Sequence, residues 1–268
     1  MNIDLLKSNL INDNCLSDII YFEEIESTNE YAKKHDIPDN TLIITDRQTK
    51  GKGRFSRIWE SAPGKDLTFS LIKKINIGID EVHLINFYTS YIIFESVRKT
   101  YPAPAVKNLF LKWPNDILLN GKKISGILTD VKDLRSLSKN FIIGSGINVN
   151  SGEFNIDVKS KATSLLNETG IESDNTSLLI DIVSGFYSNL DMIYNGKDLL
   201  SLWKKNSDVI GKVICFRQLN DDTEKSVTVK DIDSDGALII LDSENKKKKF
   251  HSGEISIGYD RIMSENTL

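Results

Sequence analysis

The stretch from Asn108 to Val131 restricts this chain more than any other. The apolar run Leu109-Phe110-Leu111 reads as a buried strand that delivers Lys112 at its end. Pro114 has no N–H to give to a ladder, so the strand should break there. Ile117-Leu118-Leu119 resumes strand character, and Asn120-Gly121 marks a tight hairpin because both residues tolerate positive φ. The return strand is expected from Lys123 to Val131. Lys112-Trp113-Pro114-Asn115-Asp116 therefore sits beside a closely specified hairpin. A lysine at such a strand end either snorkels to solvent, the usual outcome for an isolated one, or serves a site. The rest of the chain decides between the two.

Ser27-Thr28-Asn29-Glu30 opens a short helix to about His35, with Ser27 and Glu30 spaced as a capping box. The residues ahead of it are polar and mixed, ending in the apolar pair Tyr21-Phe22. Leu42 to Thr45 and Leu67 to Ile72 read as strands, separated by an irregular segment from Asp46 to Lys65. A helix is expected from Asp80 to Tyr101, with Leu84, Ile85, Tyr88, Ile92 and Phe94 toward a core and Pro102 and Pro104 ending it. Phe141-Ile142-Ile143 runs as a strand into Gly144-Ser145-Gly146-Ile147-Asn148. Helical segments are expected to begin at Lys161 and to span Thr176 to Tyr194. From about Gly211 the texture changes to short alternating strands with turns such as Ser234-Asp235-Gly236, the pattern of a small barrel appended to an α+β domain. The run Lys246 to Lys249 fits a solvated turn and a strand edge.

Several function classes are excluded. A net charge of -4 argues against a dedicated nucleic-acid binder. No apolar run approaches the ~20 residues of a membrane span, and the start Met1-Asn2-Ile3-Asp4 lacks the cationic character of a signal peptide. Cys15 and Cys215 read as free thiols of a reducing compartment, which makes a cytoplasmic location the expectation. His35, His83 and His251 show no metal-ligand spacing, so no metal site is assigned from the residues. There is neither a GxSxG elbow nor a GxxxxGK[ST] loop.

Two further clusters remain. Gly51-Lys52-Gly53-Arg54-Phe55-Ser56-Arg57 follows a dinucleotide fingerprint only until Ser56, and no clear helix follows it. It is either an exposed basic loop or one whose glycines bring N–H groups close to anionic oxygens. Gly144 and Gly146 leave one strand face bare, for a bulge, a tight crossing or a ligand. With Lys112, these clusters supply what a reaction between two anions requires.

In these residues the chain resembles a biotin–protein ligase. The resemblance rests on Ser27-Thr28-Asn29, on Gln48 through Trp59, on Lys112-Trp113-Pro114-Asn115-Asp116 with Ser125-Gly126-Ile127-Leu128, on Gly144 through Asn148, and on Gly253-Glu254-Ile255-Ser256. It runs from about Tyr21 to Ile257. It implies an α+β fold, a mixed β-sheet flanked by helices of the class II synthetase-like type, with a small C-terminal SH3-like β-barrel. The expected domains are 1–208 and 209–268.

The resemblance also implies roles. Ser27, Thr28, Asn29 and Gln48 would line a biotin pocket, with Gly144 and Gly146 letting the fused rings lie against the strand. Lys52, Gly53 and Arg54 belong to a loop that folds over biotin and the adenylate. Lys112 would bridge the biotin carboxylate and the α-phosphate, with Lys112 and Arg54 as the catalytic pair. Arg57, Trp59 and Asn115 would meet the nucleotide with Arg54, Mg²⁺ lying near Asn115, and Asn148 would face the same nucleotide. Two departures stand out. The family usually has Arg at Lys52 and Gly at Ser56, and Lys lacks the bidentate fork of Arg. The implied activity makes biotinyl-5′-AMP from biotin and ATP with Mg²⁺, then ligates biotin to a lysine of a biotin carboxyl carrier domain. This is the activity of a biotin–[acetyl-CoA-carboxylase] ligase. The stretch before Ser27 is too short for the N-terminal helix-turn-helix of some members, so a monofunctional enzyme without nucleic acid or membrane as partner is expected. Members occur as monomers and as homodimers. The alternatives are a lipoate or octanoate ligase of the same fold, whose Arg-Arg-Gly-Gly-Gly type segment is absent here, a non-catalytic binder of biotin or nucleotide, and a small-barrel interaction protein.

Overall fold

Seven strands form one sheet whose order follows from the hairpins between them. They are β1 (Asp18–Ile25), β2 (Thr41–Gln48), β3 (Leu67–Asn76), β4 (Leu109–Lys112), β5 (Asp116–Leu119), β6 (Lys122–Lys132) and β7 (Ser138–Ile147). This computed structural model describes residues 1–136, 138–155, 160–217, 225–242, 244–251 and 254–256. The order is β1-β2-β3-β7-β6-β5-β4. β1 pairs with β2 in parallel, and every other neighbouring pair is antiparallel. The expected hairpin closes at Asn120 and Gly121, with φ of 49° and 82°.

Side chains alternate between the two faces of a sheet. Leu42, Ile44, Phe69, Leu71, Ile143 and Ile147 belong to the main core, together with helices α3 (Leu84–Thr100) and α5 (Asn175–Ser188). The opposite face is covered thinly. There Ile43, Ile72 and Ile142 meet Ala32 of helix α2 (Thr28–Lys34) in a separate small cluster. That asymmetry leaves room on one face for a site.

Several boundaries differ from the sequence expectation. The segment before Ser27 is structured, with α1 (Ile3–Leu10) burying Leu6 and Leu10, followed by β1. α3 begins at Leu84 after a separate 3-10 turn at Ile79–Glu81. Lys161 to Thr163 is not helical, because Ala162 bridges to Lys123; α4 (Leu165–Thr169) starts only after its Ser164 cap. The helix expected to reach Tyr194 ends at Ser188 and continues as a 3-10 turn, Leu190–Ile193. Helix α6 (Gly196–Lys205) was not apparent in the pattern, and its Trp203 donates to Ser90 Oγ at 3.0 Å in the core. Asn206 and Ser207 then run beside β4 and cover its outer edge.

The C-terminal strands are β8 (Val213–Arg217), β9 (Lys225–Ile232), β10 (Leu238–Leu241), β11 (Lys247–Phe250) and β12 (Glu254–Ser256). They form a second, antiparallel sheet in the order β11-β10-β9-β8-β12. Lys247 to Lys249 of the lysine run lie on β11, at one end of that order, with Lys248 beside Asp242 and Lys249 beside Asp233 and Asp235. Gly253 lies outside the described residues. Among those described, no helix is long and apolar enough to cross a membrane, and both cysteines are free.

Candidate active site

One row of the main sheet organises the site. Lys112 pairs with Asp116, Asp116 with Gly126, Gly126 with Gly146, and Gly146 with Thr68. Residues directly opposite one another in a sheet share a face. The row is thus a floor with charged side chains at one end and two bare glycines in the middle. Trp59 lies over Gly146, where a Cβ would run into its indole ring. Over Gly126 lies Lys123 Nζ, which a Cβ would meet at 2.7 Å.

Lys123 was not among the candidates from sequence, and the structure brings it to the centre. Its ammonium lies 2.7 Å from Asp116 Oδ1 and 5.5 Å from the Trp59 ring centroid. Simple alternation from Gly126 would place residue 123 on the opposite face. The register of β5 and β6 shifts between Ile117 and Leu118, and this bulge turns Lys123 onto the site. Burial pushes the Asp116 carboxyl up, but the charges of Lys123, Lys112 and Arg54 outweigh it and hold the group below the usual carboxylate range. Three cations thus act on one carboxylate.

A second, neutral group lies along the next row, where Ser70 pairs with Gly144 and Gly144 with Leu128. Ser27 caps α2 by accepting from Glu30 N at 3.4 Å. Thr28 N donates to Gln48 Oε1 at 2.8 Å. Asn29 Nδ2 donates to Leu128 O at 3.0 Å and to Asp130 Oδ2 at 3.1 Å, while its Oδ1 lies 2.6 Å from Ser70 Oγ. A Cβ on Gly144 would run into the Asn29 amide. Ser27, Thr28, Asn29, Gln48 and Gly144 are therefore gathered as expected. The reciprocal half of the capping box gives way to ion pairs, since the Glu30 carboxylate takes Lys33 at 3.1 Å and Lys52 at 3.4 Å. The hydrogen bond from Lys33 holds Glu30 below its ordinary range despite some burial.

The Gly-rich loop is more ordered than its composition suggests. Lys52 bridges to Ile58, Gly53 N donates to Arg57 O at 2.7 Å, and Trp59 N donates to Gly51 O at 2.9 Å. Gly51 is required at the base, because a Cβ there would lie 2.5 Å from Trp59 O. A 3-10 turn, Arg54–Ser56, forms the tip, with Phe55 at φ 57°. The loop is fastened to α2 through Lys52 and to the strand end by Arg54 Nη1, which donates to Asn115 Oδ1 at 3.2 Å. Lys52 and Arg57 are exposed on its outer side. Asn115 is buried and donates to Ile127 O at 2.5 Å. Asn148 turns its amide to Thr163 O at 3.0 Å, and its Oδ1 has no partner among the described residues. Trp59 Nε1 and Thr68 Oγ1, beside Gly146, are likewise buried and unpartnered there. Buried polar atoms are normally satisfied, so these three mark a place for a polar ligand.

A magnesium ion finds no carboxylate or histidine cage among the described residues. Among the described residues no group of three or more His, Cys, Asp or Glu could hold a metal. Asn115, beside which the resemblance sets magnesium, has its Oδ1 engaged by Arg54, and the neighbouring Asp116 Oδ1 is engaged by Lys123.

The chain is similar to known biotin ligases in sequence and in fold. Residues 21–148 match the biotin/lipoate A/B protein ligase family and residues 209–258 the biotin protein ligase C terminal domain. The bifunctional ligase/repressor BirA of Bacillus spizizenii is 32% identical over 247 residues, covering 90% of this chain and 74% of that protein. The biotin--[acetyl-CoA-carboxylase] ligase of Mycobacterium tuberculosis is 28% identical over 130 residues, 48% of this chain and 46% of that protein. The solved structure of biotin protein ligase from Aquifex aeolicus in complex with biotin and ATP superposes with a TM-score of 0.74 at 27% identity, covering 90% of this chain and 98% of that one.

Proposed function

The chain belongs to the biotin/lipoate A/B protein ligase family, and on that premise we propose that it is a biotin–protein ligase acting through biotinyl-5′-AMP. The observation that carries the reading is the cationic surround of Asp116, formed by Lys112 and Lys123 on the sheet and Arg54 of the loop. A carboxylate attacking a phosphate brings two anions together, and unit charges ~4 Å apart repel by about 4 kcal/mol at an effective dielectric of 20. Fixed positive charge at the strand end offsets that repulsion without reorganising during the reaction.

In the first step a biotin carboxylate oxygen bonds to the α-phosphorus of ATP as the bond to pyrophosphate breaks. Lys112, Lys123 and Arg54 stabilise the charge that builds on the phosphoryl oxygens, and Asn115 orients them. Magnesium enters as part of the nucleotide substrate. Thr28, Asn29 and Gln48, with Ser27 at the helix start, read the neutral end of biotin, which lies along Gly144. Trp59 offers its ring face to the base, with Asn148 and Arg57 as further nucleotide contacts. The loop, through Lys52, Gly53 and Arg54, keeps water from the mixed anhydride. In the second step the ε-amine of an acceptor lysine forms a C–N bond with the biotinyl carbonyl, and AMP leaves.

The acceptor in this proposal is a carrier domain of a biotin-dependent carboxylase, with the reaction taking place in a reducing cytoplasm. The chemistry is assigned to residues 1–208 and the appended domain to 209–268. Pyrophosphate–ATP exchange measured in parallel with biotin, lipoate and octanoate tests the reading. Exchange with biotin alone is expected, and exchange with lipoate but not biotin would overturn it.

A further inference from the structure

Trp113 stands between Lys112 and Asn115's turn and is 1% exposed, yet its indole N–H finds no partner in its own sheet. It donates instead to the carbonyl of Gly236, 2.9 Å away in the turn between β9 and β10. That turn is closed by Gly236 N donating to Asp233 O at 2.9 Å and Asp233 N donating to Ala237 O at 2.8 Å. Gly236 has φ 75°. A Cβ there would run into the His83 ring and lie 2.9 Å from Phe87 Cε2. The turn is therefore seated against the start of α3 with its carbonyl aimed at Trp113. A second hold comes from the backbone just before the small sheet, where Leu111 N donates to Asn206 O at 2.9 Å. β4 has four residues and lies at the edge of its sheet, so these two attachments secure its outer side.

We propose that the Asp233–Gly236 turn of the C-terminal sheet is a positioning element of the adenylation site. By fixing Trp113 it fixes the strand end that carries Lys112 and Asn115, without itself touching substrate. This rests on the ligase reading of the site. Charge stabilisation depends on placement to a fraction of an ångström, and a small shift of the strand end costs rate without emptying the pocket. The group around Thr28, Asn29 and Gln48 is held by α2, β2, β3 and the far part of β6 at Leu128 and Asp130, and it keeps its geometry when the turn moves.

The test uses the full chain and three variants. Trp113→Phe keeps the ring and removes the N–H, Gly236→Ala displaces the turn, and Ile240→Val loosens the small sheet's core away from it. Trp113→Phe and Gly236→Ala are expected to lower kcat for biotin-dependent pyrophosphate exchange on the order of tenfold, the range for a lost buried hydrogen bond. Biotin affinity measured without nucleotide stays within about twofold, since its contacts are elsewhere. Ile240→Val lowers the melting temperature and leaves kcat unchanged. The indole signals of ¹⁵N-labelled Trp59, Trp113 and Trp203 and the side-chain amide of Asn115 give a readout independent of activity. Gly236→Ala should shift the Trp113 indole, and both site variants should shift the Asn115 amide. Wild-type exchange kinetics and an unmoved Asn115 amide in Trp113→Phe would overturn the proposal, as would an equal loss of kcat in Ile240→Val. If the wild-type protein shows no exchange with biotin, the ligase reading fails, and the amide signals alone then decide the coupling.

Discussion

The two halves of the site are built on opposite principles. Around Gly144, the neutral side chains of Thr28, Asn29, Gln48 and Ser70 hold one another in a net of hydrogen bonds, which Asn29 extends to the Asp130 carboxylate. Around Gly126 and Gly146, three cations share one carboxylate, and Trp59 Nε1 and Thr68 Oγ1 lack partners among the described residues. The first half is preorganised to recognise shape and a few polar atoms at little electrostatic cost. The second gathers cations about one carboxylate, at the place where anions are to meet. Affinity for the neutral substrate end and the rate of the anionic step should therefore be separable by mutation.

Removing charge should have the largest effect. Lys112→Ala is expected to lower pyrophosphate exchange by about 10²–10³-fold, the scale for losing one stabiliser of developing charge. Biotin binding measured by calorimetry should be little altered; an equal loss of affinity and rate would merge the two halves. Adding one methyl to either glycine should separate them more finely. Gly144→Ala, pressed against Asn29, should weaken biotin binding by roughly tenfold or more, the cost of overpacking. Gly146→Ala, pressed against Trp59, should instead raise the KM for ATP by a similar factor. Matching defects in both variants would break the division.

Arg54→Gly removes the bond that fastens the loop to Asn115, worth about 1.5 kcal/mol for a hydrogen bond with a charged partner. It should speed release of the adenylate about tenfold in a single-turnover chase. Lys123→Met bears on Asp116. The folded-state pKa of Asp116 lies below its unfolded value, so its stabilising contribution is present above the unfolded value and is lost as pH falls through the folded one. Without Lys123 that loss should begin at higher pH, seen as an upward shift of the Asp116 carboxyl titration by NMR and of the acid unfolding midpoint. The smallest effect belongs to Glu30→Gln, which weakens the pair between half-buried Glu30 and exposed Lys52. Adenylate release should rise by less than about threefold, and the difference should fade with added salt.

Much of this site was legible in the residue order. The tight turn at Asn120-Gly121, the break at Pro114 and the paired glycines of β7 are local features with few alternative conformations. They place Lys112, Asn115, Gly144 and Gly146 together. Lys123 was not legible, because its direction depends on a bulge that no spacing rule announces. Burial of α1 through Leu6 and Leu10 depends on α5 as a distant partner, so a polar-looking segment concealed a helix. The Gly-rich loop read as irregular, since its cross-bridge between Lys52 and Ile58 and its tie to Asn115 are matters of tertiary fit. Likewise nothing near Trp113 points to a carbonyl 123 residues away.

The thin cover over one face of the main sheet has a further consequence. Four buried residues, Ala32, Ile43, Ile72 and Ile142, form the small apolar cluster under α2 with Ile20, Phe22, Tyr31 and Ile37 partly buried against them, while the opposite face carries the main core. A substrate that settles between α2, the loop and the glycine rows supplies the missing part of that layer. Biotin and nucleotide then act as a temporary half-core, and the stability of this face rises with their concentration as it would for any ligand that binds only the folded state. The protein is held together most firmly while it has a reaction to perform.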